Sequence, residues 1–214
     1  MFACRKRMTP SMYFLAAFIA TNRILVSRGL AIAFFLLLLV TESAQEGSII
    51  SAILFLSGLV LVGIATVGRL WCSLYISGYK NFALITSGPY SVTRNPLYFF
   101  SFLGFTGIGL STESVTLSLG FVLAFALVYP IIIRREETFL QEQFGRAFSD
   151  YCARTPRFFP NLRAFHEPER YVVNPRQFRN TMGDVLWFVW LVGVIELVEA
   201  LHEYHILEPL LRLP

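Results

Sequence analysis

Residues 88–133 read GPYSVTRNPLYFFSFLGFTGIGLSTESVTLSLGFVLAFALVYPIII, two apolar runs (97–112 and 114–133) with only Ser111, Thr112 and Glu113 at their junction. A helix needs roughly twenty apolar residues to cross a bilayer, and a sheet edge cannot lie open in lipid. The junction therefore predicts a tight helical hairpin. Ahead of it, Pro89 and Pro96 fix φ twice, which suggests a backbone held in one shape that presents Arg94 and Asn95. Gly88-Pro89-Tyr90 predicts a turn. Asn95 followed by Pro96 predicts a helix start, with Asn as the cap and Pro in the first turn. A helix start leaves N–H groups that can receive a carboxylate or a ring acceptor, so the same stretch is a possible anion cradle.

The rest of the chain is equally apolar. Of 214 residues, 55% are hydrophobic and only 15% charged, and Phe occurs 21 times. Mean hydropathy is +0.59. Soluble domains carry about 25% charged residues, so the composition is that of a membrane protein. Cys4, Cys72 and Cys152 are odd in number and form no CxxC pair, which argues against a disulfide framework or a zinc site. His202 and His205 fall near Glu199–Glu203 and are read as sharing a face, but they lack a Cys partner, and no metal is expected. No basic run with interleaved aromatics points to nucleic acid.

Apolar segments occur at 29–40 with some preceding residues, 49–67, 97–112, 114–133, and within DVLWFVWLVGVIELVEALHEY at 184–204. The linker 41–48 and the 111–113 turn carry acids and no Lys or Arg. The N-terminus, the 77–96 connection and the 134–182 stretch hold nearly all the bases outside the helices. The positive-inside rule assigns those three segments to the cytoplasm, giving five crossings, N-in and C-out. Residues 1–28 begin with a basic cluster and a short apolar stretch. With Arg23 and Arg28 following, they read as a retained cytoplasmic or interfacial segment rather than a cleaved signal. The expected organisation is that segment, a membrane core over 29–160 and an extension over 161–214 with a last membrane helix. The fold class is all-α integral membrane, with about five transmembrane helices, a tight hairpin and a cytoplasmic amphipathic helix.

The amphipathic helix is read from RREETFLQEQFGRAFSDYCARTPRFFP, residues 134–160. Phe139, Leu140, Phe144, Phe148 and Tyr151 recur at helical spacing, and Pro156 and Pro160 end the run. Glu136 and Glu137 are neighbours, so on one helix they point about 100° apart and cannot both address one substrate atom. One acid facing a cavity while the other is structural is the alternative to a solvated acidic turn. Gly104, Gly107 and Gly109, like Gly58, Gly63 and Gly68, read as close helix contacts rather than a nucleotide loop.

LITSGPYSVTRNPLY, followed after the hairpin by EETFLQEQFGRAFSDYCARTPRFFP, resembles the isoprenylcysteine carboxyl methyltransferase and phospholipid methyltransferase superfamily. The family pattern is a GPY turn, R-H-P-x-Y, a hairpin, then E-E-x-x-L-x-x-x-F-G and a P-R-x-x-P close. The similarity spans about 69–160 and includes Arg69 and Gly78 upstream. It implies an integral-membrane enzyme using S-adenosylmethionine, with a lipophilic acceptor entering from the bilayer. Carried over by position, the cofactor site comprises Leu84, Ile85, Tyr90, Asn95, Pro96, Leu97, Tyr98 and Glu136. Arg94, Glu136 and Glu137 are the implied catalytic set. Asn95 stands where the family has His, and Ile132 stands where carboxyl methyltransferases carry a substrate-binding Arg, so the chain looks closer to a bacterial-type RNPLY group. A bacterial inner membrane is the implied setting, or the endoplasmic reticulum in a eukaryote, with the site facing the cytoplasm. The alternatives are a nicotinamide-dependent reductase related to sterol reductases and a non-catalytic membrane adaptor with the same fold.

Overall fold

The computed structural model describes residues 34–43, 48–77, 79 and 82–213. The expectations for residues 1–28, the start of the first span, Cys4 and Gly78 lie outside the described residues. Residues 34–40 are helical. They run into strand β1 (Thr41–Ser43), followed by helices α1 (Ile49–Ile76), α2 (Pro89–Val92), α3 (Pro96–Ser111) and α4 (Val115–Arg154). A 3-10 turn (Leu162–Ala164), α5 (Pro175–Glu203) and β2 (Leu211–Leu213) complete the described chain. Helices α1, α4 and α5 are long and apolar enough to cross a membrane, and α3 is a shorter apolar helix.

Lipid supplies no hydrophobic drive between helices, so close van der Waals packing must hold them. Glycine makes that possible. A Cβ on Gly58 of α1 would lie 2.6 Å from the Gly107 carbonyl oxygen of α3, and one on Gly107 would lie 2.7 Å from that of Gly58. Gly68 lies against the Phe100 ring, Gly104 against Phe188, and Gly109 against Ser118. Gly63 is the exception, with open space where its Cβ would be. Leu38, Val62, Ile108, Phe188, Val192, Ile195 and Val198 form the apolar core. Four of these belong to α5, so the C-terminal extension is structurally part of the bundle.

The hairpin between α3 and α4 forms as the sequence predicts. Glu113 adopts φ 53° at the turn, and the Ser114 hydroxyl caps α4 by accepting from the Leu117 amide. The amphipathic run differs from expectation in where it divides: its first part, to Phe144, continues the span, and a second helical segment follows Gly145 to Arg154. The break falls at Gly145 (φ 52°, ψ −117°), where the Gln141 side-chain amide donates to the Gly145 carbonyl at 2.9 Å. The helix stops at Arg154, ahead of Pro156.

At the hairpin end, β1 and β2 pair in parallel, Thr41 opposite Leu211, a contact the sequence did not announce. Helix α5 ends at Glu203 and His205 has φ 56° beyond it. It therefore does not share a helix face with the buried His202, whose Nε2 lies 3.1 Å from the Leu39 carbonyl. The opposite end gathers the α1 terminus, the 82–95 connection, the second half of α4 and the 155–174 segment. The Asn174 amide reaches the Ser77 carbonyl there.

Candidate active site

The corner over residues 88–95 begins at Gly88, where φ 60° and ψ −130° lie in a region only glycine enters cheaply. The Tyr75 ring occupies the space beside it, 2.3 Å from where a Cβ would sit. Pro89 then starts the short helix α2. Residues 155–166 strap this corner down: Arg94 N–H donates to the Pro156 carbonyl (2.9 Å), Asn161 N–H to Val92 (2.8 Å), and Gly88 N–H to His166 (2.9 Å). The Tyr151 hydroxyl of α4 donates to the Tyr90 carbonyl at 2.6 Å. The two motifs, separated by a whole hairpin in sequence, thus meet at one end of the bundle.

Their junction is Glu137, a carboxylate only 6% exposed. Arg94 Nε lies 3.3 Å from its Oε1 and Arg157 Nη2 lies 2.7 Å from its Oε2. The Asn95 amide donates to Oε1 at 3.3 Å and to the Arg157 carbonyl at 2.9 Å. Two guanidiniums sharing one carboxylate leave this group positive. Asn95 occupies the N-cap position of α3, with Pro96 first in the helix, but its side chain makes no cap hydrogen bond. The amide is engaged with Glu137 and Arg157 instead, so the first-turn amides of α3 have no side-chain cap.

Glu136 lies on the exposed side of α4. It is nevertheless close enough to act on Tyr90: burial pushes that phenol well above its ordinary range, and Cys72 and Glu136 are the next contributors. Leu97 and Tyr98 are half-buried in the first turn of α3, with the Tyr98 ring edge-on to Tyr129 at 5.6 Å. Leu84 and Ile85 are half-buried on the segment leading into Gly88. Arg94, Asn95 and Glu137 therefore form one bonded group, while Glu136 stands outside it.

Arg157 was not assigned a role from sequence, although the TPRFFP motif that contains it was noted. Phe158, beside it, packs against Phe99 at 5.8 Å and Phe102 at 6.0 Å, while Phe159 is exposed. A cavity of about 270 Å³, lined by Thr86, Ser91, Tyr151 and His166 among others, borders the corner. A larger one of about 480 Å³ lies at the hairpin end. None of the sequence-predicted site residues lines either cavity.

A family model described as phospholipid methyltransferase matches residues 48–147, which include the arginine–asparagine corner and both glutamates. The chain belongs to the isoprenylcysteine carboxyl methyltransferase and phospholipid methyltransferase superfamily. Among curated relatives of this methyltransferase-family chain is the nickel-cobalt-cadmium resistance protein NccN of Alcaligenes xylosoxydans xylosoxydans. It is 42% identical over 185 residues, covering 86% of each chain. The cobalt-zinc-cadmium resistance protein CzcN of Cupriavidus metallidurans is 40% identical over 196 residues, covering 92% of this chain and 90% of its own. No solved structure matches.

Proposed function

We propose that this membrane protein transfers a methyl group from S-adenosylmethionine to a lipophilic acceptor, at a site on the cytoplasmic end of the bundle. The observation that carries the reading is the division between the two glutamates. Glu137 is locked between Arg94, Arg157 and Asn95, whereas Glu136, the next residue on the same helix, stays exposed and outside that group.

The donor set fits the cofactor's functional groups. The uncapped start of α3 suits a carboxylate. Glu136 suits an ammonium or ribose hydroxyls, and the half-buried rings of Tyr90 and Tyr98 suit an adenine. When bound, the sulfonium supplies an electrophilic methyl carbon, and its displacement needs no covalent link to the protein.

The protein's own share is positioning and exclusion of water. Glu137 fixes the arginine corner against α4 and so sets the spacing between α3's first turn and Glu136. The segment 155–166 seals that corner from above. The acceptor reaches it from lipid between the helices. The names of the two relatives suggest a setting for the activity: modification of a membrane component within a divalent-metal resistance system.

Calorimetry of the full chain in detergent tests the reading. S-adenosylmethionine binds the wild type, Glu136→Ala weakens binding without lowering the thermal midpoint by more than a degree or two, and Tyr98→Ala weakens binding as well. Absence of binding at millimolar cofactor rejects it. A labelled methyl group supplied with a lipid extract then reports turnover, which a non-catalytic adaptor would not show.

A further inference from the structure

Arg69 lies about two helical turns before the end of α1, inside a helix long enough to span. An ionisable residue at such a place is costly and needs a partner or a task. Its partners here are unusual. Arg69 Nη1 donates to the Ser101 hydroxyl of α3, and the guanidinium sits over the Phe188 ring of α5, 5.3 Å from its centroid. Among the described residues both ion pairs within 4 Å belong to Glu137, so no carboxylate lies within ion-pair distance of Arg69. Its Nε is buried with no hydrogen-bond partner. Asp184, Cys72 and Tyr129 are the titratable groups near enough to feel the charge.

The position of this charge is specific. The Ser101 hydroxyl in turn donates to the Leu97 carbonyl, so the guanidinium is anchored about one and a half turns, about 7.5 Å, along α3 from the helix start. Tyr129 bridges laterally, next to Arg69 and edge-on to Tyr98, and stacks on Phe125 at 3.8 Å. The result is a guanidinium with no ion-pair partner among the described residues, held between Ser101 of α3 and the Phe188 ring of α5.

We propose that Arg69 binds an anionic oxygen group, carboxylate or phosphate, of the lipophilic acceptor and holds it about one and a half helical turns from the start of α3. This rests on the methyltransferase reading for what lies at that helix start. A purely structural arginine would satisfy itself with Ser101 and Phe188 and would not distinguish a charged lipid from its neutral ester.

Tryptophan quenching by brominated lipids tests this on the full chain in detergent, because Trp187 lies 5.2 Å from Phe188 and 6.3 Å from Phe105. Dibromostearate supplies the carboxylate, dibrominated phosphatidic acid the phosphate, and dibromostearic methyl ester the neutral control. In the wild type at least one anionic probe quenches with a saturable component that the ester lacks, and the responding probe identifies the headgroup. Arg69→Gln weakens that component about tenfold, the scale of one charge-assisted hydrogen bond, while S-adenosylmethionine still binds. Arg69→Lys recovers part of it.

Saturable quenching by the ester equal to that by the acids overturns the proposal on the wild type alone, whether or not Arg69→Gln folds. Unchanged quenching in Arg69→Gln overturns it too, and with cofactor binding intact leaves the methyltransferase reading standing. Failure of the wild type to bind S-adenosylmethionine instead overturns the methyltransferase reading, and with it the acceptor role.

Discussion

Glu137 satisfies two guanidiniums and an amide at once, so its loss strands buried positive charge at the corner. Glu137→Ala is expected to cost about 3 kcal/mol or more, the usual penalty for breaking one side of a buried pair. Thermal unfolding in detergent would show the drop, and Glu137→Gln, which keeps the shape, would recover part of it. Glu136→Ala, on the exposed side, should shift stability by under about 0.5 kcal/mol. Tyr90 adds a pH dependence: its folded-state pKa is raised by burial. Its contribution is therefore complete below the ordinary phenol value of about 10 and declines as pH rises past it. A thermal-midpoint series into the alkaline range should fall there, and Tyr90→Phe should flatten part of the slope. Both glutamates were legible as candidates, but adjacent residues on one helix leave the inward one undecided. The phase is set by the buried stripe of Ser118, Phe125, Ile133 and Glu137, visible in sequence only once the bundle-facing side of α4 is known. Arg157 reaches the site through a strap whose path no periodicity encodes.

Among the elements, the α1–α3 contact is the tightest. With Gly58 and Gly107 at backbone contact, Gly58→Leu cannot be absorbed by a rotamer change and must separate the helices. The expected outcome is a loss of stability of several kcal/mol, or no folded protein at all, read by thermal unfolding and size-exclusion profile. Gly63→Leu is the matched control, since nothing lies where its Cβ would be. The α3–α4 hairpin was readable because its two apolar runs share a junction too short for anything but a tight turn. The extent of α4 was not. Glycine followed by an amphipathic pattern is compatible with a new helix or a bent old one, and the non-helical φ of 52° and ψ of −117° at Gly145 divide the run into two helical segments meeting at a kink. Gly145→Ala should cost about 1–2 kcal/mol, from the left-handed backbone alone, as no neighbour blocks a methyl group there. The β1–β2 pairing of three residues each was invisible because strands that short carry no readable alternation.

At the scale of the molecule, the two ends of the bundle differ in character. The corner end carries Arg94, Arg134, Arg135, Arg154 and Arg157, whereas the cavity at the hairpin end is lined by Glu42, Glu113, Glu196, Glu199 and Glu203 with one His202. The positive-inside rule favours the first end in the cytoplasm. The proposed chemistry needs the same orientation, because S-adenosylmethionine is made and held there. One experiment joins the two requirements. Single cysteines placed at Glu113 and at Arg163, on a background with Cys4, Cys72 and Cys152 replaced by Ala, would be treated in intact cells with a membrane-impermeant maleimide. Cys at 113 should label from outside, and Cys at 163 only after the membrane is opened. The reverse pattern would put the arginine–glutamate corner on the face without cofactor. It would exclude the methyltransferase reading at that corner even if every distance around Glu137 stood as described.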